Sequence, residues 1–141
     1  MRRTAAAAVA TALFALAACG DGGGSTEEIC NRVETEGNEA AERFAAAGRQ
    51  IGAALAEEDE AGAMAAVVDA QNASSDLADV IRAGADDAAD DALSRALDTW
   101  ADELEALVAG LDPASLMAGE APDDSAMQAA VDEVQALCDA G

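Results

Sequence analysis

Three cysteines and a large excess of carboxylates are the reactive side chains of this 141-residue sequence. The cysteines are Cys19, Cys30 and Cys138, and 29 Asp and Glu stand against 7 Arg, with no Lys, His or Tyr. Without imidazole, Ser-His and Cys-His nucleophile pairs are excluded. A closed zinc site also lacks ligands, because two thiolates would find no third soft ligand. We therefore expect neither an enzyme nor a bound cofactor.

Four aspartates form an acidic cluster that could hold a metal ion. Asp86, Asp87, Asp90 and Asp91 fall at the predicted start of a helix, where residues four apart share a face. The sequence favours a solvated acidic face. A weak site for a divalent cation is the alternative, although no EF-hand loop is present.

The first nineteen residues have the plan of an export signal. Two arginines precede an apolar stretch rich in alanine, and small residues then lead to Leu-Ala-Ala-Cys at 16–19. The apolar stretch is shorter than the about 20 residues that span a bilayer. The tetrapeptide resembles the lipobox of bacterial lipoproteins. That resemblance implies a diacylglyceryl group on Cys19, removal of 1–18, and a lipid-anchored protein outside the cell membrane. An ordinary secretory signal cut near Ala17 or Ala18 is the alternative.

The number of cysteines agrees with a lipid on Cys19. Three cysteines in an exported chain leave one unpaired, whereas a modified Cys19 leaves Cys30 and Cys138 as an even pair. Two acyl chains give stable anchoring, where one gives marginal binding. The Gly-rich segment 19–26 would then be a flexible tether, reaching about 25 Å when fully extended.

The net charge of −22 limits the partners that the chain can bind. Such charge repels nucleic acid and an anionic bilayer surface, so we expect no nucleic-acid role. A charged protein partner would be basic. The abundance of Arg, Ala and Asp and the absence of Lys resemble the composition of proteins encoded by high-G+C genomes, such as those of actinobacteria. Acidity of the kind found in halophile proteins is the alternative interpretation. The chain is similar in this respect to small helical lipoproteins of those bacteria.

Apolar residues at three-and-four spacing predict an all-α domain over 27–141. We predict a first helix from Thr26 as N-cap to about 57. A second should span 60–83 and end at Gly84, with its polar middle near Asn72 as a possible break. A third should span 86–109 and end at Gly110. A short turn of helix follows at 112–117, and a last helix begins near 124. The apolar set of the second helix is Met64, Val67, Val68, Leu77, Val80 and Ile81.

Short loops between these helices favour an Ala-rich, up-down four-helix bundle. In that topology Cys30 and Cys138 lie at the same end, on inward faces. We therefore predict a disulfide between them, which export permits. A reactive thiol or metal pair is the weaker alternative. The opposite end would carry the turn between the first two helices and the connection 111–124, and we expect that connection to be the part displayed outward.

For three features, the sequence allows two interpretations each. Trp100 is a core anchor or lines a ligand cavity. Gly48 and Gly52 give tight contact with another bundle helix or mediate self-association. Gln71 and Ser75 lie at a bend or solvent edge, or they point inward and give a wet pocket.

The expected function is a non-catalytic envelope module that binds or scaffolds a protein partner and is held to the membrane by its lipid. The alternative is a carrier or sensor of a small apolar ligand inside the bundle. A lipid-sized cavity would favour the carrier, and an exposed apolar patch near Leu116 would favour the interaction module.

Overall fold

The computed structural model describes residues 23–141, so the predicted signal segment 1–18, Cys19 and tether residues 19–22 lie outside it. The described residues form an all-α bundle without a strand, which confirms the predicted fold class. Four long helices make the bundle and a fifth, short one lies in the last connection. They are α1 Thr26–Ala56, α2 Glu60–Asp87, α3 Asp91–Ala109, α4 Pro113–Met117 and α5 Ser125–Ala140.

The start of α1 differs by one residue from the prediction, because Ser25 rather than Thr26 is the N-cap. The Ser25 hydroxyl accepts a hydrogen bond from the Glu28 backbone N–H at 3.3 Å. The Glu28 carboxylate accepts one from the Ser25 N–H at 3.0 Å. This reciprocal pair needs a carboxylate three residues after the cap, and Ser25 has one in Glu28.

The boundary between α2 and α3 was predicted wrongly. Gly84 does not end α2, which continues to Asp87, and α3 begins at Asp91 rather than near 86. Gly84 is buried, and a Cβ there would lie 2.5 Å from Cγ2 of Val33, so this glycine permits close approach of α1. Asp90 caps α3 by accepting hydrogen bonds from two backbone N–H groups.

The polar middle of α2 neither breaks the helix nor makes a wet pocket. Gln71, Asn72 and Ser75 are exposed, which confirms the solvent-edge interpretation. Ser74 is the residue that faces inward, and its hydroxyl donates to the Gln71 carbonyl at 2.9 Å. That local bond satisfies the buried hydroxyl, and α2 runs unbroken through this segment.

Arginines fix the register of the first three helices. Arg43 of α1 pairs with Asp76 of α2 at 2.7 Å. Arg82 of α2 pairs with Asp102 and Glu105 of α3 at 2.9 and 2.6 Å. Within 23–141 every ion pair joins α1 to α2 or α2 to α3, so α5 takes part in none.

The core is built from small residues with a few large anchors. Alanines make up much of the buried face of α2, and this face is rotated away from two residues of the predicted apolar set. Met64 and Val68 were expected inside but are 54% and 49% exposed. The largest fully buried side chains are Ile29, Ile81, Leu93, Leu97, Leu104 and Val108.

The helices differ in length, so the bundle is uneven. At 1.5 Å per residue α1 is about 46 Å long, whereas α5 is about 24 Å. Val108 near the end of α3 lies level with Ile51 and Ala70, and Leu116 of α4 lies there too. The α1–α2 hairpin therefore continues beyond α3, α4 and α5. The tip of this hairpin therefore extends past the connection 111–124 at the same end of the bundle, where both were predicted to lie.

Of the helices described, none combines the length and apolar character that crossing a membrane requires.

Candidate functional site

Cys30 and Cys138 form a disulfide between the start of α1 and the end of α5, as predicted. The two residues are 108 positions apart, and their Cα atoms are 6.0 Å apart. Both side chains are half-buried against the core. The bond closes the domain at one end, and it is not an accessible dithiol.

The chain enters the bundle at this same end and is fixed there. The Gly24 N–H donates to the Asp87 carbonyl at 2.6 Å, and the Ala89 N–H donates to the Gly24 carbonyl at 3.2 Å. A Cβ at Gly23 would lie 2.7 Å from the Ala89 nitrogen, so only glycine fits. Residues 23 and 24, expected in the tether, are held against the turn between α2 and α3.

An open groove of about 600 Å³ runs between α1 and α5, next to the disulfide. We call it the α1–α5 groove. Its floor is formed by core side chains of the two opposite helices, Leu77 of α2 with Leu97 and Trp100 of α3. On its polar rim lie Glu34 and Asn38 of α1 and Gln135 and Asp139 of α5. The remaining lining residues are Ile29, Cys30, Val33, Gly37, Ala41, Val134 and Cys138.

The groove exists because α1 and α5 have little to hold them together. Ala41 of α1 presents only a methyl group at this wall, so it leaves space that a larger residue would fill. The facing rims carry the like charges of Glu34 and Asp139, which repel one another. Within 23–141 the disulfide is the one covalent link between the two helices, and no ion pair joins α5 to α1.

Trp100 satisfies both interpretations that the sequence left open. Its side chain is half-buried and packs against the core cluster. It also lines the α1–α5 groove, where an aromatic surface faces the open volume. It is the only tryptophan in the chain.

The four aspartates at 86–91 lie on two different elements rather than on one helical face. Asp86 and Asp87 end α2, whereas Asp90 caps α3 and Asp91 begins it. Asp87 pairs with Arg32 of α1 at 2.9 Å. Within residues 23–141 no group of three or more potential ligands is arranged to hold a metal ion.

The groups whose pKa clearly departs from its usual value have structural roles. The hydrogen bond from Arg82 lowers the pKa of Glu105 and raises that of Arg82 itself. The Ser115 backbone N–H lowers the pKa of Asp112, which caps α4. The backbone and hydroxyl of Ser25 lower the pKa of Glu28, and the hydroxyl and N–H of Ser125 lower that of Asp123. Each partner lies at a helix start or in an interhelical ion pair.

Gly48 and Gly52 do not give the tight helix contact that the sequence favoured. Both are exposed, and a Cβ at either position would meet nothing within 4 Å. Close approach of α1 and α2 occurs instead at Gly37 and Gly84, where a Cβ would press on Leu77 and Val33.

The hairpin tip carries an apolar stripe that faces solvent. It consists of Ala61, Met64, Ala65 and Val68, on one face of α2, and we call it the tip stripe. Four consecutive acidic residues at 57–60 border it. By contrast, Leu116 is half-buried, and only Met117 of α4 is an exposed large apolar side chain, at 37%.

No protein-family model matches this chain, and comparisons with curated proteins and with solved structures give no match either. The α1–α5 groove and the tip stripe are therefore judged on their own geometry. The sequence pointed to neither directly: the groove needs the tertiary placement of α5, and the tip stripe was assigned to the core.

Proposed function

We propose that this chain is a non-catalytic envelope lipoprotein, anchored through a lipid on Cys19, that binds a protein partner at the far end of its bundle. The observation that carries the partner proposal is the exposure of Met64 and Val68 on the tip stripe. A contiguous exposed apolar surface with a polar border is typical of a protein-interaction site. The acidic border at 57–60 favours a basic partner segment.

The position of the tip stripe supports this proposal. Gly24 and the disulfide lie at one end of the bundle, and the tip lies about 40 Å away along α1. An anchor at Cys19 lies only four residues before Gly23. It would hold the Cys30–Cys138 end close to the bilayer and turn the tip outward.

Anchoring is tested by labelling cells with a fatty-acid analogue. We expect label on the full-length chain and loss of both label and membrane fractionation in Cys19→Ala. Cys30→Ser/Cys138→Ser is the control and should keep its label. A Cys19→Ala protein that still fractionates with membranes would contradict the anchor.

Partner binding is tested by site-specific photocrosslinking in the native membrane. A photoreactive residue at Met64 or Val68 should give the same adduct, and one at Thr99, exposed on α3, should not. The adduct from position 64 should disappear with Val68→Lys and persist with Ser75→Lys, an exposed site on the same helix. Equal capture at positions 64 and 99 would count against the tip as a docking surface.

A second candidate function, a carrier or sensor of a small apolar ligand, is favoured by the α1–α5 groove. Its volume falls within the range of ligand sites, about 300–1,000 Å³. It combines an apolar floor with a few polar groups at the rim, as such sites do.

A further inference from the structure

We infer that the α1–α5 groove binds a single-chain amphiphile with a cationic head group: the hydrocarbon chain on the apolar floor and the head at the acidic rim. This inference rests on the second candidate function. It is independent of the partner at the hairpin tip, because groove and tip lie on opposite ends of the bundle.

The disulfide closes one end of the groove. There the Cα atoms of Cys30 and Cys138 are 6.0 Å apart, so α1 and α5 leave no opening between them at that end. An occupant must therefore lie lengthwise between the two helices, on the open side of this bond.

The length of the groove also suits a chain. Its wall on α1 runs from Ile29 to Ala41, which at 1.5 Å per residue is about 18 Å. Along this wall the inward residues are apolar or lack a side chain, as at Gly37. Of the floor residues, Trp100 is half-buried and offers apolar surface to the middle of the chain, whereas Leu77 and Leu97 are 7% and 1% exposed.

The polar residues at the rim of the α1–α5 groove determine which head group it would bind. Glu34 and Asp139 place a carboxylate on each wall, and Asn38 and Gln135 add amide groups that can accept hydrogen bonds. Among residues 23–141, no arginine lines the groove. A primary amine would gain charge-assisted hydrogen bonds here, whereas the carboxylate of a fatty acid would meet like charge on both sides.

Trp100 reports on occupancy without a label, because it is the single tryptophan and lines the groove. The oxidised protein is titrated, in lipid-free buffer below micelle concentrations, with primary amines of increasing chain length and with matching fatty acids and monoacylglycerols. We expect the amines to shift Trp100 emission, with affinity rising about fourfold per methylene until the groove is filled. The amine should bind about tenfold or more tighter than the acid of equal length.

Two variants with a matched control locate the site. Ala41→Leu fills the groove and should abolish the Trp100 response, while Ala45→Leu, exposed one turn further along α1, should leave it unchanged. Glu34→Gln/Asp139→Asn should lower the amine-to-acid ratio about threefold or more and leave the chain-length dependence intact.

Three results would overturn the inference. Equal binding of amine and acid would refute the cationic class while leaving the carrier function standing. The failure of every amphiphile to shift Trp100 would refute the carrier function as well. A response to a basic amphipathic peptide, blocked by Ala41→Leu and seen with no amine, would assign the groove to a partner helix.

Discussion

Individual glycines in this protein have opposite roles that only the packing reveals. Gly84 is buried in α2 where α1 comes closest, and Gly52 is exposed on α1 with open space around it. Both are helical, and neither has a left-handed backbone, so space alone separates them. They are a matched pair for testing the close approach of α1 and α2.

We predict that Gly84→Ala lowers the free energy of unfolding by about 1–3 kcal/mol, because its Cβ would press on Val33. Gly52→Ala should raise it by about 0.5–1 kcal/mol, since alanine loses less backbone entropy in a helix. Urea unfolding followed by circular dichroism measures both. A neutral Gly84→Ala would mean that the two helices are further apart at this point.

Glu105 provides a test of electrostatics at a single residue. Its bond to Arg82 lowers its folded pKa below the usual 4.5. The stabilisation is therefore complete at pH 7 and is lost as pH falls through the lowered folded pKa. Both side chains are more than a third exposed, so the contribution is about 0.5–1 kcal/mol.

Accordingly, Glu105→Gln should cost about that much at pH 7 and almost nothing in strong acid, below the lowered pKa. Glu133→Gln, at an exposed position of α5 outside the ion pairs, is the control and should show no such difference between the two conditions. Thermal unfolding at a series of pH values gives the comparison. A Glu105→Gln penalty that is the same at pH 7 and in acid would rule out the ion pair as its cause.

Among the elements, α5 depends most on a covalent bond. It fully buries only Ala130 and Val134 and has no arginine partner within 23–141. We predict that Cys30→Ser/Cys138→Ser lowers the free energy of unfolding by about 4–5 kcal/mol, as expected for a loop of about 100 residues.

Without the bond, α5 should also open while the rest of the bundle stays folded. In hydrogen exchange of the double variant the α5 amides should then lose more protection than the middle of α2, because α2 keeps both neighbours. Reductant should reproduce this pattern in the natural protein and have no effect on the double variant. Uniform loss of protection across all helices would show that α5 folds with the others as one unit.

The helices also show how much of the fold can be predicted from sequence patterns. The three-and-four spacing of apolar residues predicted the four long helices, and the up-down topology then placed Cys30 beside Cys138. These predictions depend only on local periodicity and on the order of the helices along the chain. The predictions for Gly84 and Met64 were wrong because the periodicity of one helix does not show how closely a neighbouring helix packs against it or where that neighbouring helix ends. The orientation of α2 about its own axis buries Ala63 and Ala66 and exposes Met64. The buried face of α2 is therefore not the one that side-chain hydrophobicity alone predicts.

At the scale of the whole molecule, the two candidate surfaces have different origins in the packing of the helices. The hairpin outgrows α3 and α5, which exposes the tip stripe, and the weakly joined α1 and α5 leave the groove open. Neither surface follows from any one helix, so no sequence pattern could have predicted them. The lipid on Cys19 remains a prediction of the sequence, outside the described residues.

The disulfide would have a mechanical consequence if the protein is anchored at its N-terminal end and bound to a partner at the hairpin tip, as proposed. Cys30 lies near the start of α1 and Cys138 near the end of α5, so the bond spans the domain at its base. Tension between an anchor and the hairpin tip would run along α1 and α2, leaving α3 and α5 outside the load path. A pull on both termini would be borne by the covalent bond, and the 108-residue loop between the cysteines could not be drawn out.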